Sequence, residues 1–549
     1  MSDTSYTTYA NGGDLLVAVL KELGVDTVFG IVSVHNLPLV EAVDRELRFV
    51  PVRHEASAVN AADAYGRARG TIGCALTSTG TGAGNAAGSL IEALASGTSV
   101  LHVTGQVEAE FLGSGRGFIH ETKDQLGMLD AVSAYAATVR STEEAGATLR
   151  AAARAALASP GGPASVEWPI DLQYAAQTDA TRETTDAGKP SVDANQLATA
   201  AALLASAERP LIWAGGGATR AGAELTALVE ATGAGLLTSN SGRGSVPEDH
   251  PQVIGNFATT PAGRALLADA DVLLTIGTHF RSNETADYGL KLPGAERHIQ
   301  IDVDAAALGR VYPAAHTLHA DAADALTALL PHARAAEPSW TARVKDVREE
   351  VRATLHDNIG PQAAICDALR AALPRDAVVA RDVTIPSSSW GNRLLEMYDP
   401  RSNVFPRGGG IGQGLGMGIG AALAAPERPS VVIAGDGGLA VHLGELLTVA
   451  QERPRLTVLV FNDGGYGVLR NMQDRYSERR SGVDLATPDF ELLARACGLP
   501  YLRISDAEHA RPVIEQAVGS DGPTLVEVDL AALGPMKNPF TPPVKIPGA

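Results

Sequence analysis

Residues 431–467 read VVIAGDGGLAVHLGELLTVAQERPRLTVLVFNDGGYG. An apolar run, Val431–Ala434, enters Gly435-Asp436-Gly437-Gly438. A helix-like stretch covers about Val441 to Glu452, and a second apolar run, Leu456–Phe461, ends at Asn462-Asp463-Gly464-Gly465. Two short apolar runs around one helical segment predict a parallel βαβ unit. Both strands of such a unit end on one edge of the sheet, where α/β proteins bind ligands. Asp436 and Asp463 are thereby predicted side by side. Two carboxylates beside glycine-rich N–H groups at a helix start suit a diphosphate neutralised by a hard divalent cation. Mg2+ takes oxygen ligands in near-octahedral geometry, and two Asp, a backbone carbonyl, diphosphate oxygens and water supply them. Two ordinary βα-turn acids would look similar. The second acid, placed where the next strand ends, favours the metal site.

The same alternation extends in both directions. DLLVAVLKELG (14–24) reads as an amphipathic helix, and apolar strands are predicted at Asp26–Gly30, Leu47–Val52, Ile72–Thr77 and Val100–Thr104. Glu55 follows one of these strands and opens an Ala-rich helix; taken alone it also fits a capping acid. Residues 176–195 are polar and read as a linker. Strands at Pro210–Ala214, 271–277 and 298–304 define a middle unit. A polar, helical connector spans about 333–360, and a Pro-rich tail ends the chain. The reading is an α/β protein with three doubly wound parallel sheets in residues 1–178, 195–332 and 358–535, followed by the tail 536–549. The first and third units alternate alike, predicting two similar sheets with a different one between.

Composition narrows the function. A net charge of −19 argues against nonspecific nucleic-acid binding. Cys74, Cys366 and Cys497 are too widely spaced for a zinc knuckle and sit in apolar contexts as small core residues. The start, MSDTSYTTYANGGD, has neither a basic nor an apolar signal region, and no run is long and apolar enough to span a bilayer. A cytoplasmic enzyme without a membrane partner is expected.

The GDG…ND stretch resembles the magnesium–thiamine diphosphate motif of thiamine enzymes, which opens with GDG and closes with Asn-Asn or Asn-Asp. RHEASAVNAADAYGRARG (53–70) resembles the activating-glutamate segment of the acetolactate synthase and pyruvate decarboxylase group. The resemblance covers about 14–530. It implies a pyrimidine-binding first domain, a Rossmann-like central domain and a diphosphate-binding third domain. Metal ligands would be Asp436, Asp463 (where many members carry Asn) and the Gly465 carbonyl. Thr384, Gly435, Gly437, Gly438 and Tyr466 would complete the cofactor contacts. Glu55 would bond N1′ of the aminopyrimidine, its pKa raised by burial, and so favour formation of the C2 carbanion. In Gly408-Gly409-Gly410-Ile411-Gly412, Ile411 would lie under the bent coenzyme and the Gly409 carbonyl would accept from its 4′-amino group. Gly416 stands where the family usually has Pro.

The resemblance further implies a non-oxidative decarboxylase or carboligase of a 2-oxo acid, and YGVLR (466–470) is closer to decarboxylases of aromatic or larger 2-oxo acids. The C2 carbanion adds to the keto carbon, carbon dioxide leaves, and the product carbanion is protonated or captured by a carbonyl acceptor. Alternatives are an acetolactate synthase-type enzyme, an FAD-linked oxidase, or a non-catalytic binding protein. Flavin is not indicated, since Gly215–Gly217 lacks a clean G-x-G-x-x-G. Ser78, Gln106 and His120 match positions facing the reacting carbon in relatives, with His120 the preferred proton-transfer group and His35 and His54 the other titratable candidates. Val34, His35, Asn283, Val468 and Met472 are expected in the substrate pocket. Met472 stands where dedicated acetolactate synthases carry Trp. Arg470 fits either a substrate carboxylate or a surface helix. In the family one coenzyme spans two chains, which implies a homodimer at minimum and an expected homotetramer.

Overall fold

The computed structural model describes residues 6–180 and 190–542. Residues 181–189 of the expected linker and 543–549 of the expected tail lie outside them. Three six-stranded sheets are formed, parallel throughout. The first has the spatial order Arg48–Pro51, Thr27–Gly30, Gly73–Thr77, Val100–Gln106, Pro163–Pro169, Tyr135–Thr138. The third runs Asn403–Val404, Val378–Arg381, Ser430–Gly435, Leu456–Asn462, Thr524–Asp529, Tyr501–Ile504. Numbered along the chain, both orders are 2-1-3-4-6-5. The middle sheet instead reads 3-2-1-4-5-6, from Val253–Gly255 through Gly235–Thr238, Pro210–Ala214, Val272–Ile276 and His298–Asp302 to His316–His319. That is the doubly wound dinucleotide-fold order. Two like sheets do flank an unlike one.

Two sequence expectations are corrected. The helix expected from about Val441 to Glu452 covers only Glu445–Glu452, and a short helix that was not expected, Asp436–Val441, precedes it. The short helix begins directly at the strand end, so Asp436 sits at its N-terminus. The chain breaks at His442-Leu443-Gly444, where His442 Nδ1 donates to the Gly412 carbonyl at 2.8 Å. The linker is also shorter than expected, because Gln177–Ala180 is a strand pairing antiparallel with Tyr6–Tyr9.

The first and third domains of one chain meet through helices Glu55–Arg69 and Gly414–Ala424, the latter buried along its whole length. Small residues permit the approach. A Cβ on Gly420 would lie 1.9 Å from the Ala61 carbonyl, and one on Gly416 would lie 3.1 Å from Asn60. Gly416 therefore lies at the helix contact. The central domain is tied to the third by Arg243, fully buried, which grips Glu248 in two bonds of 2.6 and 2.7 Å and donates to the Gly391 and Leu395 carbonyls. Glu248→Ala strands that guanidinium and should destabilise the protein by about 3–5 kcal/mol in chemical denaturation.

Candidate active site

In the third sheet the strand order reverses between Val378–Arg381 and Ser430–Gly435. Ligands bind α/β folds outside such a switch point, and the motif acids lie there. Asp436 is 1% exposed and its Oδ2 has no hydrogen-bond partner. Asp463 Oδ1 is likewise buried without a partner. Burial raises the Asp436 pKa against the backbone amides of Asp463, Gly437 and Gly465. Burial, then the neighbouring Asp436 carboxylate, pushes Asp463 up to about 6, with Arg470 opposing. Two facing carboxylates with orphaned oxygens fit a cation. Among the described residues no third His, Cys, Asp or Glu joins them to make a metal cluster. The remaining ligands must then be carbonyls, ligand oxygens and water, which suits Mg2+ bound with a phosphate.

The glycines around the pair are needed sterically. Gly465 has φ +147°, and a Cβ there would lie 2.1 Å from the Val483 carbonyl. A Cβ on Gly437 would meet the Tyr466 ring at 2.8 Å and the Gly465 carbonyl at 3.1 Å, so this carbonyl and ring adjoin the helix start. Thr384 Oγ1 lies 2.9 Å from the place of a Cβ on Gly435. Gly438 adjoins the Asp382 carboxylate. Arg470 donates to the carbonyls of Asp463 and Gly464 at 3.0 and 3.1 Å and to Asp484 at 2.8 Å. It fixes the turn that carries Asp463, a third role beyond the two its sequence suggested.

Ile411 is 40% exposed and so is not core. Gly409 has φ +96° with open space beside it. The segment carrying both is held by acids that the sequence did not single out. Asp382 accepts from the Gly412 amide at 3.0 Å and the Gly414 amide at 3.1 Å, and burial pushes it up to about 6. Glu92, from the first domain, accepts from Gly408 at 2.5 Å and Gly410 at 2.6 Å. Asp382 directly follows a strand at the switch point, a signal that was available. Glu92 showed only as an acid inside an apolar helix, SLIEALAS.

The first domain presents the other half. His54 caps helix Glu55–Arg69, its Nδ1 accepting from the Ala56 amide at 3.1 Å. Glu55 is the first helical residue. In the single chain it is half-buried, with Asn85 donating to Oε2 at 3.0 Å. A Cβ on Gly82 would lie 2.7 Å from Ser78 Cβ and 3.0 Å from Glu55 Oε1, so these side chains share one hollow. Ser78 Oγ is buried and unpartnered. His120, at φ +68°, places its carbonyl against Gly80, and its ring centroid is 5.4 Å from that of His35. Both rings have an unpartnered buried Nδ1, and burial, then His120, lowers the His35 pKa. Gln106 is engaged at both ends, donating to Glu167 at 3.0 Å and accepting from the Val107 amide at 2.8 Å. Val34 and Ile119, the sequence neighbours of His35 and His120, are both exposed, Val34 to 62%. Val468 and Met472 are half-buried on helix Gly467–Tyr476, and Asn283 is exposed on the turn Ser282–Glu284 of the central domain. The described part of the tail reaches this helix, with Asn471 donating to the Phe540 carbonyl at 2.9 Å.

His54 and His442 face each other across the two domains, with ring centroids 4.9 Å apart. Burial, then His442, lowers the His54 pKa. Beside them Glu445 accepts from the Arg53 amide at 2.9 Å. Neither third-domain residue was anticipated. The three cysteines are free, and burial pushes the Cys74 and Cys366 thiols up to about 12, as for core residues.

Family comparison agrees with this geometry. Residues 10–128 match the N-terminal TPP binding domain of thiamine pyrophosphate enzymes, 197–329 their central domain and 386–528 their C-terminal TPP binding domain. The chain is 35% identical over 527 residues to a probable 2-ketoarginine decarboxylase of Pseudomonas aeruginosa, covering 94% of this chain and 93% of the relative. The chain belongs to the thiamine pyrophosphate enzyme family. Other members similar to it are a probable acetolactate synthase large subunit of Methanocaldococcus jannaschii, 29% identical over 96% of this chain and 93% of the relative, and the acetolactate synthase isozyme 2 large subunit of Escherichia coli, 28% identical over 95% and 96%. The family's coenzyme is thiamine diphosphate, and the two matched binding domains are those that carry Glu55 and the aspartate pair. Among the described residues no helix is long and apolar enough to cross a membrane.

Proposed function

We propose that this protein is a thiamine diphosphate- and Mg2+-dependent, non-oxidative decarboxylase of a 2-oxo acid. The observation that carries the reading is the mutually repelling Asp436–Asp463 pair, each with one buried, orphaned carboxylate oxygen, at the switch point. Asp436, Asp463 and the Gly465 carbonyl would hold the cation, and Thr384 and the Gly435–Gly438 amides would hold the diphosphate. Bound there, thiamine diphosphate would supply the nucleophilic carbon and electron sink that decarboxylation of a 2-oxo acid needs. Glu55 would exchange a proton with the pyrimidine ring nitrogen. The exposed Ile411 side chain would pack against the coenzyme. The Ser78 hydroxyl and the unpartnered His35 and His120 nitrogens orient the substrate carboxylate and move a proton at the reacting carbon. His35, its pKa lowered by burial, is neutral at pH 7 and able to accept. The active unit is a dimer at least, in which the Glu55 hollow of one protomer faces the aspartate pair of its partner; a tetramer is the expected assembly.

Decarboxylation is favoured over acetolactate synthesis by the 2-ketoarginine decarboxylase relative and by Met472 in place of the synthases' Trp. The synthase reading keeps the support of the relatives named as such. Flavin is not required by the central turn, because Gly215 and Gly217 are explained by packing on Gly277 and Thr278. A panel of 2-oxo acids including 2-ketoarginine, assayed for carbon dioxide and products with and without thiamine diphosphate and Mg2+, tests the reading. Release from none of them by coenzyme-loaded protein would refute it; a condensed hydroxy-keto acid from pyruvate would move it to the synthase.

A pH dependence follows. With a pKa raised to about 6, Asp463 holds its proton more tightly folded than unfolded, so the metal-free fold gains stability as pH falls through about 6. Mg2+ must displace that proton. The rise in Tm produced by Mg2+ with thiamine diphosphate should be large near pH 7.5 and small near pH 5, as read by thermal melts. An equal rise at both would contradict the assignment.

A further inference from the structure

We propose that Glu92 is a positioning residue for the reaction, acting through Ile411. This rests on the thiamine reading only in giving Ile411 a role beneath the coenzyme. Glu92 lies on helix Thr81–Ser96 of the first domain and is 5% exposed. Its two oxygens take the amides of Gly408 and Gly410, while Asp382 of the third domain takes those of Gly412 and Gly414. Four alternate amides are thus bound by two buried carboxylates, one from each domain. Charge-assisted bonds of this kind are short and strong. Alternation leaves the amides of Gly409, Ile411 and Gln413 outside the clamp; Gln413 is buried, whereas Gly409 has open space beside it and Ile411 is exposed.

Glycine is required on the clamped side. A Cβ on Gly408 would sit 2.7 Å from the Glu92 oxygens, and one on Gly410 would sit 2.8 Å from Oε1 and 2.6 Å from Gln413 Nε2. A glycine-rich segment has no stiffness of its own, so its shape comes from these contacts. Phe405 and Arg407 fix its approach, through Arg67 donating to the Phe405 carbonyl at 2.8 Å and Arg281 donating to that of Arg407. Neither anchor reaches past residue 407. Beyond it, Glu92 holds the first half of the turn and Asp382 the second. Residual slack moves the side chain that shapes the reacting geometry, and a displacement of about 1 Å lowers rate by about 100-fold.

Glu92→Gln keeps size and one acceptor and loses the second. In the full-length protein loaded with Mg2+ and thiamine diphosphate, kcat should fall about 10- to 100-fold while coenzyme Kd changes less than about 3-fold. Hydrogen exchange of the peptide over residues 405–413, measured without coenzyme, should speed up in the variant. The deciding measurement is a double-mutant cycle. Ile411→Ala lowers kcat by itself, and adding Glu92→Gln to it should lower kcat no further. Additive losses, or unchanged kcat despite faster exchange, would overturn the positioning role and leave the thiamine reading standing. Wild-type protein that binds no thiamine diphosphate would overturn that reading and this assignment with it.

Discussion

Glu55→Gln is expected to lower turnover by about 10²–10⁴-fold while leaving the fold intact. The side chain is the first of its helix and has one hydrogen-bond partner in the single chain, the Asn85 amide, to which a glutamine oxygen serves as well. The cap is His54, not Glu55, so the helix start is unaffected apart from a charge–dipole contribution of about 0.3–1 kcal/mol. What the amide cannot do is exchange a proton with a ring nitrogen. A steady-state assay beside a thermal melt separates the two. Near-wild-type turnover would remove Glu55 from the chemistry, and loss of the folded state would make it structural.

Asp436→Asn should act in opposite directions on binding and stability. It removes one of two facing carboxylates whose pKa values are both raised, so the metal-free protein should melt higher than wild type. It also removes the acid at the N-terminus of helix Asp436–Val441 and one anionic ligand of the cation. Affinity for Mg2+ and thiamine diphosphate, titrated calorimetrically, should fall by more than about 100-fold. Weaker binding with a raised melting point is the signature of a site strained for its ligand. A lowered melting point with unchanged binding would mean that the pair only holds the fold together.

Much of this was legible because it is local. The βα turns carry their acids within a few residues of the strands that aim them, so Asp436 and Asp463 could be placed from apolar runs and glycines, whereas Glu55 stood out only through its resemblance to the activating-glutamate segment. The likeness of the first and third sheets showed in their shared alternation. What escaped notice depends on partners far along the chain. Glu92 meets Gly408 and Gly410 more than 300 residues away, and Glu445 meets Arg53 nearly 400 residues back. Gln177–Ala180 looked like a linker because its partner strand is Tyr6–Tyr9. The short helix Asp436–Val441 escaped because its glycines read as a turn, and the bond from His442 to the Gly412 carbonyl at its end is tertiary. Ile411, read as a coenzyme support, could also have been plain core, and its exposure removes that alternative.

Subunit complementation tests the central claim most directly. A Glu55→Gln protomer and an Asp436→Asn protomer, each inactive alone, are mixed under conditions in which subunits exchange. If Glu55 of one chain and the aspartates of its partner serve one coenzyme, every mixed dimer holds one intact site, and about a quarter of wild-type activity returns at random pairing. If the mixture stays as inactive as its parents although mixed dimers have formed, the shared site does not exist.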